Sequence, residues 1–141
     1  MNRRFTTIFA FTIIAGVGIL VFFGYREPKV TISPVNFKVQ SLTFWNINIP
    51  IEEIVNIDTV SWKEIPRISY RSNGISLFGV HRGWFKTKDE NTVWLSVKRG
   101  VTPLIRIVEK NGKTYYMNRK NTAETMDIFD KLTGFTENKG L

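Results

Sequence analysis

The sequence predicts a mainly β domain of about seven antiparallel strands, capped by a C-terminal α-helix and preceded by one N-terminal transmembrane helix. Three observations carry this expectation. Residues 5–24, FTTIFAFTIIAGVGILVFFG, hold no charge and no proline. From residue 35 onward, short runs alternate apolar and polar residues and are separated by turn chemistry. After Asn121 the apolar spacing changes from two to three and four.

Twenty helical residues span roughly 30 Å, the thickness of a bilayer core. Arg3 and Arg4 precede the run, and Tyr25, Arg26 and Lys29 follow it, where such side chains anchor or snorkel. The basic start also suits a cleaved signal peptide. The apolar run is long for one, however, and no A-x-A-like site follows it, so a retained single-pass anchor in the cell membrane is expected. The near flanks carry two basic residues each. A short basic tail before a first helix usually stays cytoplasmic, which would place the domain outside. Thr12 and Gly16 form one small-xxx-small pair, suited to helix pairing or to plain lipid contact. The expected organisation is a basic tail at 1–4, the membrane helix at 5–24 and a juxtamembrane linker at 25–34 bracketed by Pro28 and Pro34. The folded domain then covers 35–135 and a tail 136–141.

Within the domain, VNFKVQ directs Val35, Phe37 and Val39 one way, and TFWNINIPI does the same with Trp45, Ile47, Ile49 and Ile51. EIVNIDTV is rich in β-branched residues and reads as a third strand. SWKEIPRISYRSN is irregular and is broken by Pro66, with Asn73-Gly74 read as a turn. GVHRGWFKTK forms a strand that Lys88-Asp89-Glu90-Asn91 turns into TVWLSVK, whose Val93, Leu95 and Val97 share a face. PLIRIVEKNGKTYYMNRK reads as two strands joined at Asn111-Gly112, a pair suited to a type I′ turn. Gly79 and Gly83 suit bulges or close backbone approach. In the tail, Asn121 is a helix cap with Glu124 three residues on as a capping-box partner. Met126, Phe129 and Leu132 then recur at helical spacing with Ile128 and Phe135 beside them, and Gly134 reads as the stop. That apolar stripe needs a surface, and the open end of a curved sheet supplies one.

This order of strands and a closing helix is that of the pleckstrin-homology (PH) fold. The stretch RSNGISLFGVHRGWFKTKDENTVWLSVKRGVTPLIRIVEKNGKTYYMN, followed by a helix containing FDKL, resembles the bacterial PH-like domain family, in its small membrane-anchored members. The shared features are Arg-x-x-Gly, a second glycine, Gly-aromatic-aromatic opening a strand, a strand pair, an Asn-Gly hairpin and a helix. The resemblance implies a PH-like barrel over residues 35–135 that serves as a binding scaffold. Phosphoinositide-binding PH domains place a Lys and an Arg-x-Arg pattern around the first strand pair. FKVQSLTFWNIN offers only Lys38 and no arginine, so the resemblance does not imply inositol-phosphate binding by that route.

The chain of 141 residues leaves about 110 beyond the membrane segment and its flank, enough for one core. No cysteine is present, which excludes disulfides, thiolate metal sites and thiol nucleophiles but leaves the redox compartment open. The net charge is +8, and residues 61–120 carry 13 Lys/Arg against 4 Asp/Glu. Such a balance favours an anionic partner, although a solvated basic surface produces the same count. Gly74–Gly79 matches the first six positions of a P-loop, but Val80 and His81 stand where Lys and Ser/Thr are needed, and a strand follows instead of a helix. His81 is the sole histidine, with no second imidazole for zinc. Glu52/Glu53, Asp89/Glu90 and Asp127/Asp130 are expected on opposite strand faces, in a turn and on a polar helix face. No acid–base, metal or cofactor constellation appears, so an enzyme is not expected. Trp62, Trp84, Trp94, Tyr115 and Tyr116 among basic residues suggest nucleic-acid stacking, but cross-strand packing accounts for them and a membrane anchor disfavours nucleic acid. The remaining candidate contact surface is Arg82, Trp84 and Lys86 along one strand face, with Lys98, Arg99 and Arg106 from neighbouring segments. The expected function is a membrane-anchored, non-enzymatic interaction module that scaffolds a protein partner. The alternative is contact with anionic lipid headgroups by the basic sheet face.

Overall fold

The structure, a computed structural model, describes residues 3–41, 45–138 and 140. Helix α1 (Arg3–Tyr25) opens the chain, and its span Arg4–Phe23 is long and apolar enough to cross a membrane. Its large apolar side chains are exposed on every side, including Phe5, Phe9, Phe11, Ile14 and Leu20. Thr12 returns its hydroxyl to the carbonyl of Ile8 at 2.9 Å, so the helix's own backbone satisfies this polar group.

Among the described residues the rest of the chain is mostly β, with nine strands in two open sheets and a C-terminal helix. The smaller sheet holds β1 (Lys29–Ile32), β2 (Asn36–Gln40) and β3 (Ile47–Pro50), paired antiparallel in that order. Strand β1 lies inside the stretch read as a linker. Its four residues pair with β2, Val30 opposite Val39 and Ile32 opposite Phe37, so the folded unit begins at Lys29. The predicted strand TFWNINIPI begins later than expected. Its residues 43 and 44 lie outside the described residues, and Ile51 closes into a one-turn 3-10 helix, Ile51–Glu53.

The larger sheet contains β4 (Ile54–Val60), β5 (Ile68–Leu77), β6 (Val80–Thr87), β7 (Thr92–Lys98), β8 (Leu104–Glu109) and β9 (Thr114–Met117). Its spatial order is β4-β8-β9-β7-β6-β5. Strand β9 slots between β7 and β8, parallel to the first and antiparallel to the second. Neither sheet closes on itself; among the described residues there are nine strands where about seven were expected, and the β7–β9 pair is parallel where only antiparallel strands were expected.

Two turn assignments are corrected. Asn73-Gly74 is not a turn but lies inside the ten-residue β5, opposite Trp84 and Gly83. The two-residue turn falls at Phe78-Gly79, where φ is 49° and 77° and Leu77 pairs with Val80. Positive φ at both central positions is the type I′ signature, here on an unexpected residue pair. The Asn111-Gly112 connection is a three-residue loop instead. Gly112 N–H donates to the Glu109 carbonyl at 2.9 Å, Glu109 N–H donates to the Lys113 carbonyl at 3.0 Å, and only Gly112 (φ 85°) has positive φ. That is a type I turn followed by a left-handed glycine.

Helix α2 (Thr122–Glu137) runs past Gly134, so Gly134 is not the stop. Asn121 caps it, with its side-chain oxygen accepting from Glu124 N–H at 2.8 Å. The Glu124 carboxylate goes to Lys120 at 2.9 Å instead of back to the cap. The reciprocal capping box occurs at Ser61 and Glu64, around the 3-10 turn Trp62–Glu64. The buried stripe of α2 is Thr125, Ile128, Leu132 and Thr136, with Phe129 and Phe135 packed beside it. This stripe covers the main core between the small sheet and one face of the large sheet, where Phe37, Ile49, Trp94, Ile105, Ile107 and Met117 meet. A second cluster, with Phe85, Val93, Leu95, Val97, Leu104 and Tyr116, lies on the opposite face of the large sheet under Trp62, Ile65 and Ile68.

Candidate functional site

The register of the large sheet brings several chain segments to one end. Val80 pairs with Lys98, Leu77 with Val80, and Ser96 with Met117. Beyond Met117, the Asn118 amide clamps the Lys98 backbone: Oδ1 accepts from Lys98 N–H at 2.7 Å and Nδ2 donates to the Lys98 carbonyl at 2.9 Å. Arg99 N–H donates to the Gly79 carbonyl at 2.8 Å. The Phe78-Gly79 hairpin tip, Lys98, Arg99 and Arg119 therefore stand at the same edge of the sheet.

This end also holds the chain leaving α1. The Arg82 guanidinium donates from Nη1 to the carbonyl of Arg26. Arg119 donates from Nη1 to the carbonyl of Pro28 at 2.6 Å and pairs through Nη2 with the Glu27 carboxylate at 3.2 Å. Between Tyr25 and Lys29 the chain takes four Cα steps, at most roughly 14 Å. Arg82 is only 7% exposed. Burial lowers its pKa, and the nearby Glu27 carboxylate partly offsets that effect. The last turn of α1 has no basic residue of its own, so Arg82 brings a cation to the carbonyl end of the helix from a distant strand.

The six expected contact residues separate accordingly. Arg82 and Trp84 share the face over the main core. Trp84 is half-buried there, edge-to-face with Tyr115 at 5.9 Å and with the Lys113 ammonium 5.9 Å from its ring centre. Lys86 is on the same face near the far end, its Nζ donating to the Glu90 carbonyl at 3.2 Å. Lys98 and Arg99 are exposed at the end nearest α1. Arg106 belongs to the other face, opposite Tyr116. Its Nε donates to Asp58 Oδ1 at 2.8 Å and its Nη2 to Asp58 Oδ2. That hydrogen-bonded pairing raises the Arg106 pKa and commits the side chain to the sheet. The expected row is therefore one internal strap (Arg82), one core aromatic (Trp84), two exposed cations beside the helix exit, and two side chains that do not join them.

The turn residues also take distinct roles. Gly74 and Gly83 are opposite each other just past the register shift between Arg71 and Asn73, with their backbones pressed together. Trp45 lies over Gly83, its Nε1 donating to Asn73 Oδ1 at 3.2 Å, while Trp94 Nε1 donates to the Trp45 carbonyl at 3.2 Å. Gly79 and Phe78 form the tip.

Two features escaped the sequence reading. The first is Ser76 Oγ, 2.7 Å from His81 Nδ1 at the mouth of an apolar cleft of about 340 Å³ lined by Trp62, Ile65, Ile68, Phe85 and Leu95. Burial and the Arg99 charge lower the His81 pKa. Among the described residues the hydrogen-bond partner of this imidazole is the Ser76 hydroxyl and not a carboxylate. The second is the buried Glu109, which accepts from Tyr115 Oη at 2.6 Å and locks the β8–β9 hairpin. The Tyr115 pKa is pushed upward, chiefly by burial and then by this bond. Tyr115 is opposite Ile107, so Glu109 meets it as a diagonal neighbour on the same face, a placement that needed the three-residue loop to be known.

No protein-family model, curated protein or solved structure matches the chain.

Proposed function

We propose that the protein is a membrane-anchored, non-enzymatic interaction module of PH-like build that scaffolds a protein partner at the bilayer surface. The observation that carries the anchor is the helix itself, uncharged over residues 5–24 and apolar on all faces, which in water would be an aggregation surface and in lipid is satisfied. The short strapped connector then keeps the domain against the membrane and does not let it swing on a long tether. The PH-like assignment is supported by consecutive strands followed by a C-terminal helix that covers the open side of the core.

Strand β5 offers the partner surface. It is one of the two outer strands of the large sheet, ten residues long and exposed over most of its length, with Tyr70 59% exposed. An unprotected edge of this length is a template for strand addition, in which backbone hydrogen bonds give affinity and alternate side chains give selectivity. A photoreactive residue in place of Tyr70 tests this in native membranes. A discrete adduct from position 70, absent from position 111 on the β8–β9 loop away from the β5 edge, is the expected result. Equal labelling from both positions, or from neither, overturns the reading.

A further inference from the structure

We infer that the β5–β6 hairpin tip is a second membrane contact: Phe78 enters the bilayer interface beside α1 while Lys98 and Arg99 take anionic lipid headgroups. The inference rests on α1 being a membrane anchor, as proposed above. Three observations converge on it. Phe78 is 78% exposed, the most exposed large apolar side chain outside α1 among the described residues, and Leu77 next to it is also exposed. Phe78 holds a left-handed backbone at φ 49°, a position that asparagine or glycine fills at less strain, and its ring gains no burial in the fold to offset this. Finally, the tip shares its end of the sheet with the connector. The Gly79 carbonyl holds Arg99 N–H, Val80 pairs with Lys98, and Arg82, two residues along β6 from Val80, reaches the backbone immediately after α1.

The chemistry at this end specifies a lipid surface in preference to a protein groove. An aromatic ring flanked by cations is the combination that settles at headgroup depth, with the ring among the upper acyl carbons and the ammonium and guanidinium groups among phosphates. The polar turns 88–91 and 110–113 are at the opposite end, with Asp89, Glu90, Asn111 and Lys113. A domain with its connector end on the bilayer presents the apolar, basic tip to lipid and those turns to water.

The chain has no cysteine, so single cysteines introduced into the full-length protein can carry an environment-sensitive fluorophore at chosen sites. Three variants are reconstituted in vesicles of phosphatidylcholine with and without phosphatidylglycerol: Phe78→Cys at the tip, Asn111→Cys at the far end and Ile14→Cys within α1. The expected result is blue-shifted emission and quenching by bromine-labelled lipid at positions 14 and 78, and neither at 111. Adding phosphatidylglycerol should strengthen the signal at 78, and Lys98→Ser with Arg99→Ser should remove that gain. A lipid-quenched label at 14 with a water-exposed label at 78 overturns the tip contact and leaves the anchor standing. A water-exposed label at 14 overturns both.

Discussion

The face-to-face glycines of β5 and β6 make a quantitative test of the architecture. A Cβ built on Gly83 would lie 2.3 Å from the Asn73 carbonyl oxygen and 2.5 Å from the Gly74 Cα, and Gly83 holds φ 116°. Gly83→Ala therefore combines a backbone clash with a conformation that L residues rarely adopt. Overpacking costs about 1–3 kcal/mol and an unfavourable backbone region about 1–3 kcal/mol, so the expected loss is about 4 kcal/mol. Gly74 has the clash alone, 2.3 Å to the Arg82 carbonyl oxygen, without positive φ. Part of its cost is offset because alanine restricts the unfolded chain, leaving about 2 kcal/mol. Gly100 has the conformation alone, φ 87° with nothing within 4 Å, so Gly100→Ala should cost about 1 kcal/mol. For a domain of this size each kcal/mol moves the melting temperature by about 4 °C. Melts of the full chain in detergent micelles, followed by the β-sheet circular dichroism signal, should fall by about 15, 8 and 4 °C in that order. A Gly83→Ala variant that melts with Gly100→Ala would refute the close approach of the two strands, and with it the placement of Trp45 and Asn73.

Two further perturbations address the end of the sheet nearest α1. Arg82→Met keeps the apolar stem but removes a charge-assisted hydrogen bond to the Arg26 carbonyl, worth about 1.5–3 kcal/mol, so trypsin should cut the Arg26–Glu27 bond roughly 10- to 100-fold faster; unchanged cleavage would show that the connector is not strapped. The lowered His81 pKa gives a stability that is complete above the ordinary imidazole range. As pH falls through about 6.5 the unfolded chain binds a proton that the folded chain refuses, so stability declines until the lower folded pKa is reached. The denaturant midpoint should drop between about pH 7.5 and pH 5.5, and His81→Asn should flatten that slope; an equal slope in the variant would remove His81 as its source.

The sequence was most legible where one physical signal dominated. Twenty uncharged residues leave little room for any element but a membrane-length helix, and the alternation in TVWLSVK places Val93, Leu95 and Val97 in one cluster and Trp94 in the other. The Asn121 cap was equally local. Signals failed where tertiary contacts chose between equal local options. Asn-Gly is turn chemistry at residues 73–74, yet Gly74 is needed within a strand because Gly83 faces it at contact distance. Phe78 shows the converse, because no propensity places a phenylalanine at a left-handed turn position. The basic row failed for a related reason. Strand parity correctly put Arg82, Trp84 and Lys86 on one face, but parity carries no information about depth, and Arg82 is buried. Arg106 required the β4–β8 register, which places Asp58 directly opposite it.

The burial of Arg82 has a physical reason that connects the domain to its helix. An α-helix leaves its last carbonyls without intrahelical partners, and its macrodipole places negative partial charge there. The connector after α1 turns within four Cα steps into β1, too short to supply a continuing turn of helix. Arg82 and Arg119 act just past that end, donating to the connector carbonyls of Arg26 and Pro28, with the Glu27 carboxylate completing the charge balance. Both guanidinium groups come from the same end of the large sheet, so satisfying the connector backbone also fixes which end of the domain faces α1. The Gly74–Gly83 contact secures β5 on β6 just beyond Arg82, and the Phe78-Gly79 turn begins β6 just before it. The segment Arg71–Phe85, poor in recognisable chemistry, thus forms the hairpin that ties the sheet to the chain leaving α1.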